Sequence, residues 1–209
     1  VQPEELVSQQ DHIQFINLLQ KLRSAIADND KLHGDGFNQW LESNLSVGED
    51  GLYSDKLRFL FELVQNVDDC DYADIGNCRL DVEFKTIEGC IVFTYNELGF
   101  KPSDVFAITG IAEKSKNISP KKTEIGEKGI GFKSVFGVAH SVLIQSGGFS
   151  FKLLKNNFTV PVAQYNEYTP IDGTRLTLYM PGKQVQELYY EMVERYCKPD
   201  VLANKNPLL

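Results

Sequence analysis

The chain has 209 residues, a formal net charge of −8 and 42% hydrophobic residues. This length suits one domain with a full hydrophobic core, and no apolar run approaches the roughly 20 residues that a membrane-spanning helix needs. The acidic balance argues against nucleic acid as a partner, because binding a phosphate backbone requires a basic face. The cysteines lack paired C-x-x-C spacing, so we expect thiols in an intracellular compartment, cytoplasmic or nuclear, and no metal site or disulfide framework.

The first part of the chain predicts helices. Apolar residues from residue 3 to residue 27 keep helical spacing, and Phe37 to Leu45 indicates a second, short helix. We expect residues 1–53 to form an N-terminal segment that either packs on the main domain or is exchanged in a homodimer. Residues 54–197 are expected to form that domain. Residues 198–209 are expected to be a linker to a further region of a longer protein, since the chain starts at Val1 and has no obvious terminal signal.

The stretch LRFLFELVQNVDDC predicts a helix from Leu57 to Cys70. Its buried face is predicted from the three- and four-residue spacing of Leu57, Leu60, Phe61, Val64 and Val67. Glu62 and Asn66 are four residues apart and therefore share a helix face, which Asp69 extends. Such a polar stripe is typical either of a cavity wall or of the solvated side of an ordinary amphipathic helix.

A second stretch, IGEKGIGFKSVF, places Gly126, Gly129 and Gly131 ahead of a helix predicted from Phe132 to Ala139. Glycines allow close backbone approach, and the unpaired N–H groups of a helix start attract phosphate. The alternative is a tight turn, which glycine also favours. The spacing is not that of a P-loop, and no strand directly precedes the glycines as a dinucleotide-binding motif requires.

The remaining elements indicate an α+β fold. Two further helices are predicted at Lys101 to Ile108 and Gln184 to Cys197, and the polar, lysine-rich segment from Asn117 to Glu124 suits a lid over a ligand. Alternating residues predict strands at Arg79 to Lys85, Cys90 to Tyr95, Ser141 to Ser146, Phe149 to Lys155, Phe158 to Val162 and Thr174 to Tyr179. We expect a two-layer sandwich, in which a mixed β-sheet carries helices on one face.

These motifs resemble the ATP-binding domain of the GHKL superfamily, which groups gyrase-type topoisomerases, ninety-kilodalton heat-shock chaperones, histidine kinases and mismatch-repair ATPases. The matching features follow the family's order: ELVQN, the turn YNELGF, the glycine run, and Gly173-Thr174 at the start of a strand. ELVQNVDD and GEKGIGFKSVF are most similar to the branch that holds sacsin and the NO VEIN-type proteins. The resemblance implies the Bergerat ATP-binding fold, ATP or ADP as ligand, and magnesium.

The resemblance also implies roles for single residues. Glu62 would orient or deprotonate the attacking water, and Asn66 would bind magnesium and the nucleotide. Nucleotide contacts are further implied for Asp69, Gly99, Lys114, Ser115, Gly126, Lys128, Gly129, Ile130, Gly131, Phe132 and Thr174. The alternatives are surface roles for the lysines, a structural role for Asp69, and plain strand propensity for Thr174.

The turn YNELGF departs from the family's D-x-G-x-G, in which the aspartate accepts a hydrogen bond from the adenine amino group. Alignment on Gly99 puts Tyr95 at the aspartate position. The acceptor role would then fall to Asn96 or Glu97. We rank Asn96 first, because its side-chain carbonyl is an acceptor.

Three functions are considered. The first is a Mg-dependent ATP-binding, slowly hydrolysing domain of a larger chaperone-like or scaffolding protein, whose partners are adenine nucleotide and the other domains of that protein. The second is a nucleotide-sensing module without meaningful turnover. The third, a phosphotransferase of the histidine-kinase type, ranks last because no dimerisation helix with a phosphoacceptor histidine is evident, although His12 lies in a predicted helix.

Overall fold

The computed structural model describes residues 8–33, 56–110, 131–166 and 168–197, with the backbone alone at 29–33. The predicted helix at Phe37 to Leu45, the predicted lid segment and residues 198–209 lie outside this part of the chain. The described residues form an α+β two-layer sandwich of one sheet and one layer of helices. Among the described helices, none combines the length and the apolar character that crossing a membrane requires.

Four α-helices belong to the described residues, together with two short 3₁₀ helices, Ile75–Asn77 and Ser134–Gly137. Within the predicted helix from Phe132 to Ala139, residues 132–133 are α-helical and residues 134–137 form the second 3₁₀ helix, so the helical stretch ends two residues earlier than predicted. A glycine at its end and the start of a strand four residues later leave no room for a longer helix. The α-helices are α1 (Gln9–His33), α2 (Arg58–Asp68), α3 (Pro102–Ile108) and α4 (Gly182–Tyr196).

The six described strands form one sheet in the order β1-β2-β6-β3-β4-β5. The expectation of a mixed sheet was wrong, since every neighbouring pair is antiparallel. β2 and β3 do run in the same direction, but β6 lies between them and pairs with both. The strands are β1 (Leu80–Lys85), β2 (Cys90–Tyr95), β3 (Ser141–Gly147), β4 (Phe149–Leu154), β5 (Asn157–Ala163) and β6 (Ile171–Tyr179).

The helices pack on one face of this sheet, as the alternation of the strands requires. Each described helix adds at least one buried apolar residue to the same core as the inner face of the sheet. The inner-face residues of the central strands are Ile91, Phe93, Tyr95, Val142, Ile144, Phe149, Phe151, Leu153, Leu176 and Leu178. Fully burying one such side chain stabilises the fold by roughly 1.5–3 kcal/mol.

The buried face of α2 overlaps the predicted one. Leu57 is fully buried, and Leu60 and Val67 pack against the core, as predicted. Val64 is 46% exposed, whereas Phe59 and Leu63, four residues apart, are buried in the core.

The N-terminal helix α1 packs against β4 and β5. Ile16 and Leu19 are buried in the common core, and the rings of His12 and Phe15 make edge contacts with Phe149. This packing covers the β5 end of the sheet. Whether residues 1–53 form a separate segment in the intact protein stays a prediction.

Candidate functional site

Glu62 lies against the end of the glycine run. A Cβ built on Gly131 would be only 2.7 Å from Glu62 Oε2, so the carboxylate fits there because residue 131 has no side chain. Residues 131–133 are helical and Gly131 is the first of them that the structure describes. The two motifs that the sequence separates by nearly 70 residues therefore meet in space.

Asn66 and Asp69, on and just after α2, line a cavity of about 200 Å³. This volume is below the roughly 300–1,000 Å³ of a complete small-molecule pocket. The other lining residues are Leu63, Cys70, Asp71, Tyr95, Glu97, Leu98, Gly99, Phe100, Lys101, Asp104, Ala107, Ile108, Phe132 and Leu176. Two of the walls are thus α2 and α3, and Phe132 extends the surface from the glycine run.

Beneath this cavity lies a chain of buried hydroxyl groups that ends at a carboxylate. Thr174 Oγ1 donates to Glu97 Oε1 at 2.5 Å, and Ser146 Oγ lies 2.5 Å from Thr174 Oγ1. Ser146 Oγ also accepts the backbone N–H of Phe100 at 2.7 Å. Thr174 and Ser146 are fully buried, and Glu97 is 9% exposed. The network therefore fixes the Glu97 carboxyl at the cavity.

The environment of Glu97 favours its protonated form. Burial raises the pKa of Glu97, and the nearby charge of Asp104 acts in the same direction, whereas the hydrogen bond from Thr174 opposes the shift. Burial also raises the pKa of Tyr95 well above its usual value, so the phenol stays neutral. A carboxyl in this position can accept hydrogen bonds when ionised and donate one when protonated.

The structure disfavours Asn96 as the residue that contacts a ligand base. Asn96 is exposed, and its amide is used within the protein. Its Oδ1 accepts a hydrogen bond from the backbone N–H of Arg79 at 2.7 Å, and its Nδ2 donates one to the backbone carbonyl of Asn77 at 2.7 Å. Side chains alternate between the two faces at the end of a strand, so Glu97, the residue after Asn96, points inward. Alignment of the altered turn did not decide between these two residues.

Gly99 belongs to the cavity wall and has φ of +85°, a conformation that favours glycine. A Cβ at this position would make ordinary van der Waals contact with the Gly147 nitrogen, at 3.4 Å. The turn YNELGF lies against the β3–β4 hairpin and is bonded to it through the Phe100 N–H and Ser146 Oγ. Its geometry explains the need for glycine at residue 99.

A cation next to Glu62 is a feature that the sequence analysis missed. Arg58 Nε lies 3.3 Å from Glu62 Oε1 on the same helix, and the Arg58 side chain is 45% exposed. The four-residue spacing of the two charges in α2 was the available signal. An exposed pair of this kind adds little stability, about 0.3–0.5 kcal/mol, but it does orient the carboxylate.

Six predicted site residues lie outside the described part of the chain: Lys114, Ser115, Gly126, Lys128, Gly129 and Ile130. Their roles stay predictions. Within the described ranges, no three His, Cys, Asp or Glu side chains gather as a metal-binding group. All four cysteines are in those ranges and form no disulfide; Cys70 Sγ donates to Asn66 O at 3.0 Å.

His12 is placed for packing. Its Nδ1 lies 2.7 Å from Ser8 O, and its ring centre is 4.6 Å from that of Phe149. A Cβ on Gly148 would collide with the imidazole ring. These contacts hold the histidine against the β3–β4 turn.

Comparison with known proteins gives one partial relationship. Over 101 residues the chain is 41% identical to Protein NO VEIN of Arabidopsis thaliana. The match covers 48% of this chain and 4% of that protein, so the chain spans a small fraction of its relative. No family model matches the chain. The identity supports a relation between about half of this chain and the NO VEIN proteins.

Proposed function

We propose that the chain is a GHKL-type domain that binds ATP or ADP with magnesium and hydrolyses ATP slowly, within a larger chaperone-like or scaffolding protein inside the cell. One observation carries the proposal: Glu62 and Asn66 lie one turn apart on α2, with Glu62 against Gly131 and Asn66 on the cavity wall. A carboxylate, an amide and a glycine backbone are the groups that water activation, magnesium and phosphate need.

Asn66 and Glu62 of α2 would have different chemical roles. Asn66 would offer its side-chain carbonyl as a hard oxygen ligand to magnesium, which when bound neutralises charge on the phosphates. Glu62 would hold the attacking water and accept its proton. The position of Gly131 beside Glu62 supports this division, because phosphate held by the glycine backbone would lie close to the carboxylate.

We propose that Glu97 recognises the base of the nucleotide. It is buried at the cavity, fixed by Thr174, and able to accept a hydrogen bond from an exocyclic amino group when ionised. Asn96 is not proposed again for this role, since its amide is used by Arg79 and Asn77. The role of Thr174 would then be indirect, through Glu97.

The second candidate is a nucleotide sensor without meaningful turnover, and the ion pair of Arg58 with Glu62 favours it. The Arg58 cation lies 3.3 Å from Glu62 Oε1 and occupies a carboxylate oxygen that would otherwise be available to the attacking water. In such a module, binding alone would change the contacts with other domains. A homodimer through the N-terminal segment belongs to the same proposal.

Calorimetric titration tests binding. Mg-ATP and Mg-ADP are titrated into the 209-residue chain and into Asn66→Ala, each with and without magnesium. We expect saturable heat with the wild type, weakened by removal of magnesium, and little further magnesium dependence in Asn66→Ala. A wild type that gives neither heat nor a thermal shift with any adenine nucleotide would refute the proposal.

Phosphate release separates the two candidates. The wild type is compared with Glu62→Gln, which keeps the size of the side chain but removes the base. Loss of a general base lowers turnover by about 10²–10⁴-fold. A measurable wild-type rate that falls in the variant, with binding kept, supports hydrolysis. Equal background rates with intact binding support the sensor.

A further inference from the structure

Two cationic side chains hold the C-terminal end of α3 by its backbone. Arg23 Nη2 of α1 donates to Phe106 O at 3.1 Å, and the guanidinium carbon lies 4.6 Å from the centre of the Phe106 ring. Lys133 Nζ donates to Gly110 O, two residues after α3 ends. The last carbonyls of a helix carry partial negative charge, so cations are favoured at this end.

Lys133 is an unusual residue to bond the C-terminal end of α3, because its side chain is buried. Only 4% of it is exposed, and Nζ lies 5.3 Å from the centre of the Phe158 ring. Burial, with the neighbouring charge of Arg23, lowers the pKa of Lys133 to about 8. Burying a charged ammonium group is costly unless it is well bonded. A buried methionine would fill this volume without that cost.

The contact between Lys133 and Gly110 joins two sides of the cavity. Asp104, Ala107 and Ile108 of α3 line one side of the cavity, and Phe132 lines another. Lys133 directly follows Phe132 and bonds to Gly110, 23 residues earlier in the chain. The contact therefore joins the Phe132 side of the cavity to the α3 side, and Arg23 joins α1 to the same end of α3.

We propose that Lys133 and Arg23 are positioning residues that set the spacing of the two cavity walls and thereby couple helix α1 to nucleotide binding. The proposal rests on the proposed function of the cavity. Neither residue touches the ligand; each acts through α3. Truncating either side chain should loosen both walls together and weaken binding on the order of tenfold, since a misplacement of about 1 Å in a site can cost up to ~100-fold.

The test compares Lys133→Met and Arg23→Met, which keep most of the apolar stem, with Val185→Ala. Val185 is fully buried in α4, which does not line the cavity. Mg-ADP affinity is measured by calorimetry, and the denaturation midpoint of each variant records its loss of stability. We expect both methionine variants to lose affinity about tenfold, with the double variant losing less than the product, because both act through one helix end. Arg23→Lys, which keeps a cation, should restore part of the affinity.

Affinities of both methionine variants within about twofold of the wild type would overturn the proposal. An equal loss of affinity in Val185→Ala would also overturn the proposal, since the effect would then follow from lost stability alone.

Hydrogen exchange keeps the test independent of nucleotide. The amides of residues 105–110 and of Phe132 should exchange faster, as a group, in Lys133→Met and Arg23→Met than in Val185→Ala. Unchanged exchange would overturn the proposal even where nucleotide binds. A wild type without nucleotide binding but with this joint change in exchange would refute the proposed function and leave the coupling of the walls established.

Discussion

The carboxylate of Glu62 lies directly against the backbone of Gly131, so close that a Cβ at residue 131 would be 2.7 Å from Oε2. The other carboxylate oxygen lies 3.3 Å from Arg58 Nε. Glu62 therefore lies between Arg58 of its own helix and Gly131, a residue far away in the chain. Any ligand bound by the glycine backbone would meet this carboxylate.

Gly131→Ala should therefore disturb the site strongly. The new methyl group requires the Glu62 carboxylate to move, and displaced catalytic groups cost about 10- to 100-fold in rate. Phosphate release and Mg-ATP affinity are measured beside Gly137→Ala, a matched control because a Cβ on Gly137 meets nothing within 4 Å. Equal behaviour of the two variants would contradict the assigned role of the Glu62–Gly131 contact.

Thr174→Val should destabilise the fold by about 1–3 kcal/mol, because it leaves buried Glu97 and Ser146 without a hydroxyl partner. Valine keeps the shape and strand propensity of threonine. Urea unfolding of this variant is compared with Thr177→Val, which changes the same strand on the opposite face. A loss no larger than that of the control would show that the hydroxyl network adds nothing.

The pH dependence of stability should report on Glu97. Because burial raises its pKa in the fold above the ordinary value of 4.5, the folded state keeps a proton that the unfolded chain has already released. Stability from this group is present below that value and is lost as pH rises through the folded pKa. The free energy of unfolding of the wild type should fall relative to Glu97→Gln as the pH rises above 4.5. A constant difference across this range would contradict the shift.

Lys133 should give the opposite slope at alkaline pH. Its pKa is lowered from 10.5 to about 8, so the unfolded chain binds a proton that the folded protein has lost. Stability therefore rises with pH from about 8 to about 10.5, by roughly 3 kcal/mol for a shift of this size.

The control for this prediction is Lys133→Met, which lacks the titrating group. The difference in unfolding free energy between wild type and variant is followed by denaturant titration from about pH 7 to about 11. The wild type should gain stability relative to Lys133→Met as the pH rises. A flat difference would mean that the ammonium group is better solvated than its burial indicates.

Local pattern was sufficient for most elements. The strand from Cys90 to Tyr95 has the predicted bounds, and helix α2 lies within the predicted range. Helix α2 has a periodic pattern because one of its sides is buried, whereas β2 is an apolar run that is buried along nearly its whole length. The sheet type could not be derived in this way, since the insertion of β6 between β2 and β3 is a matter of long-range pairing.

The sequence by itself determined that Glu62 and Asn66 share one face of a helix and that glycines precede a second one, because these relations depend only on helix geometry and residue type. Only the tertiary structure decided that Glu62 meets Gly131, that Glu97 and not Asn96 faces the cavity, and that Lys133 reaches the end of α3. Each of these contacts joins residues far apart in the chain. Their distances are fixed by how the helices pack on the sheet, which local spacing does not encode.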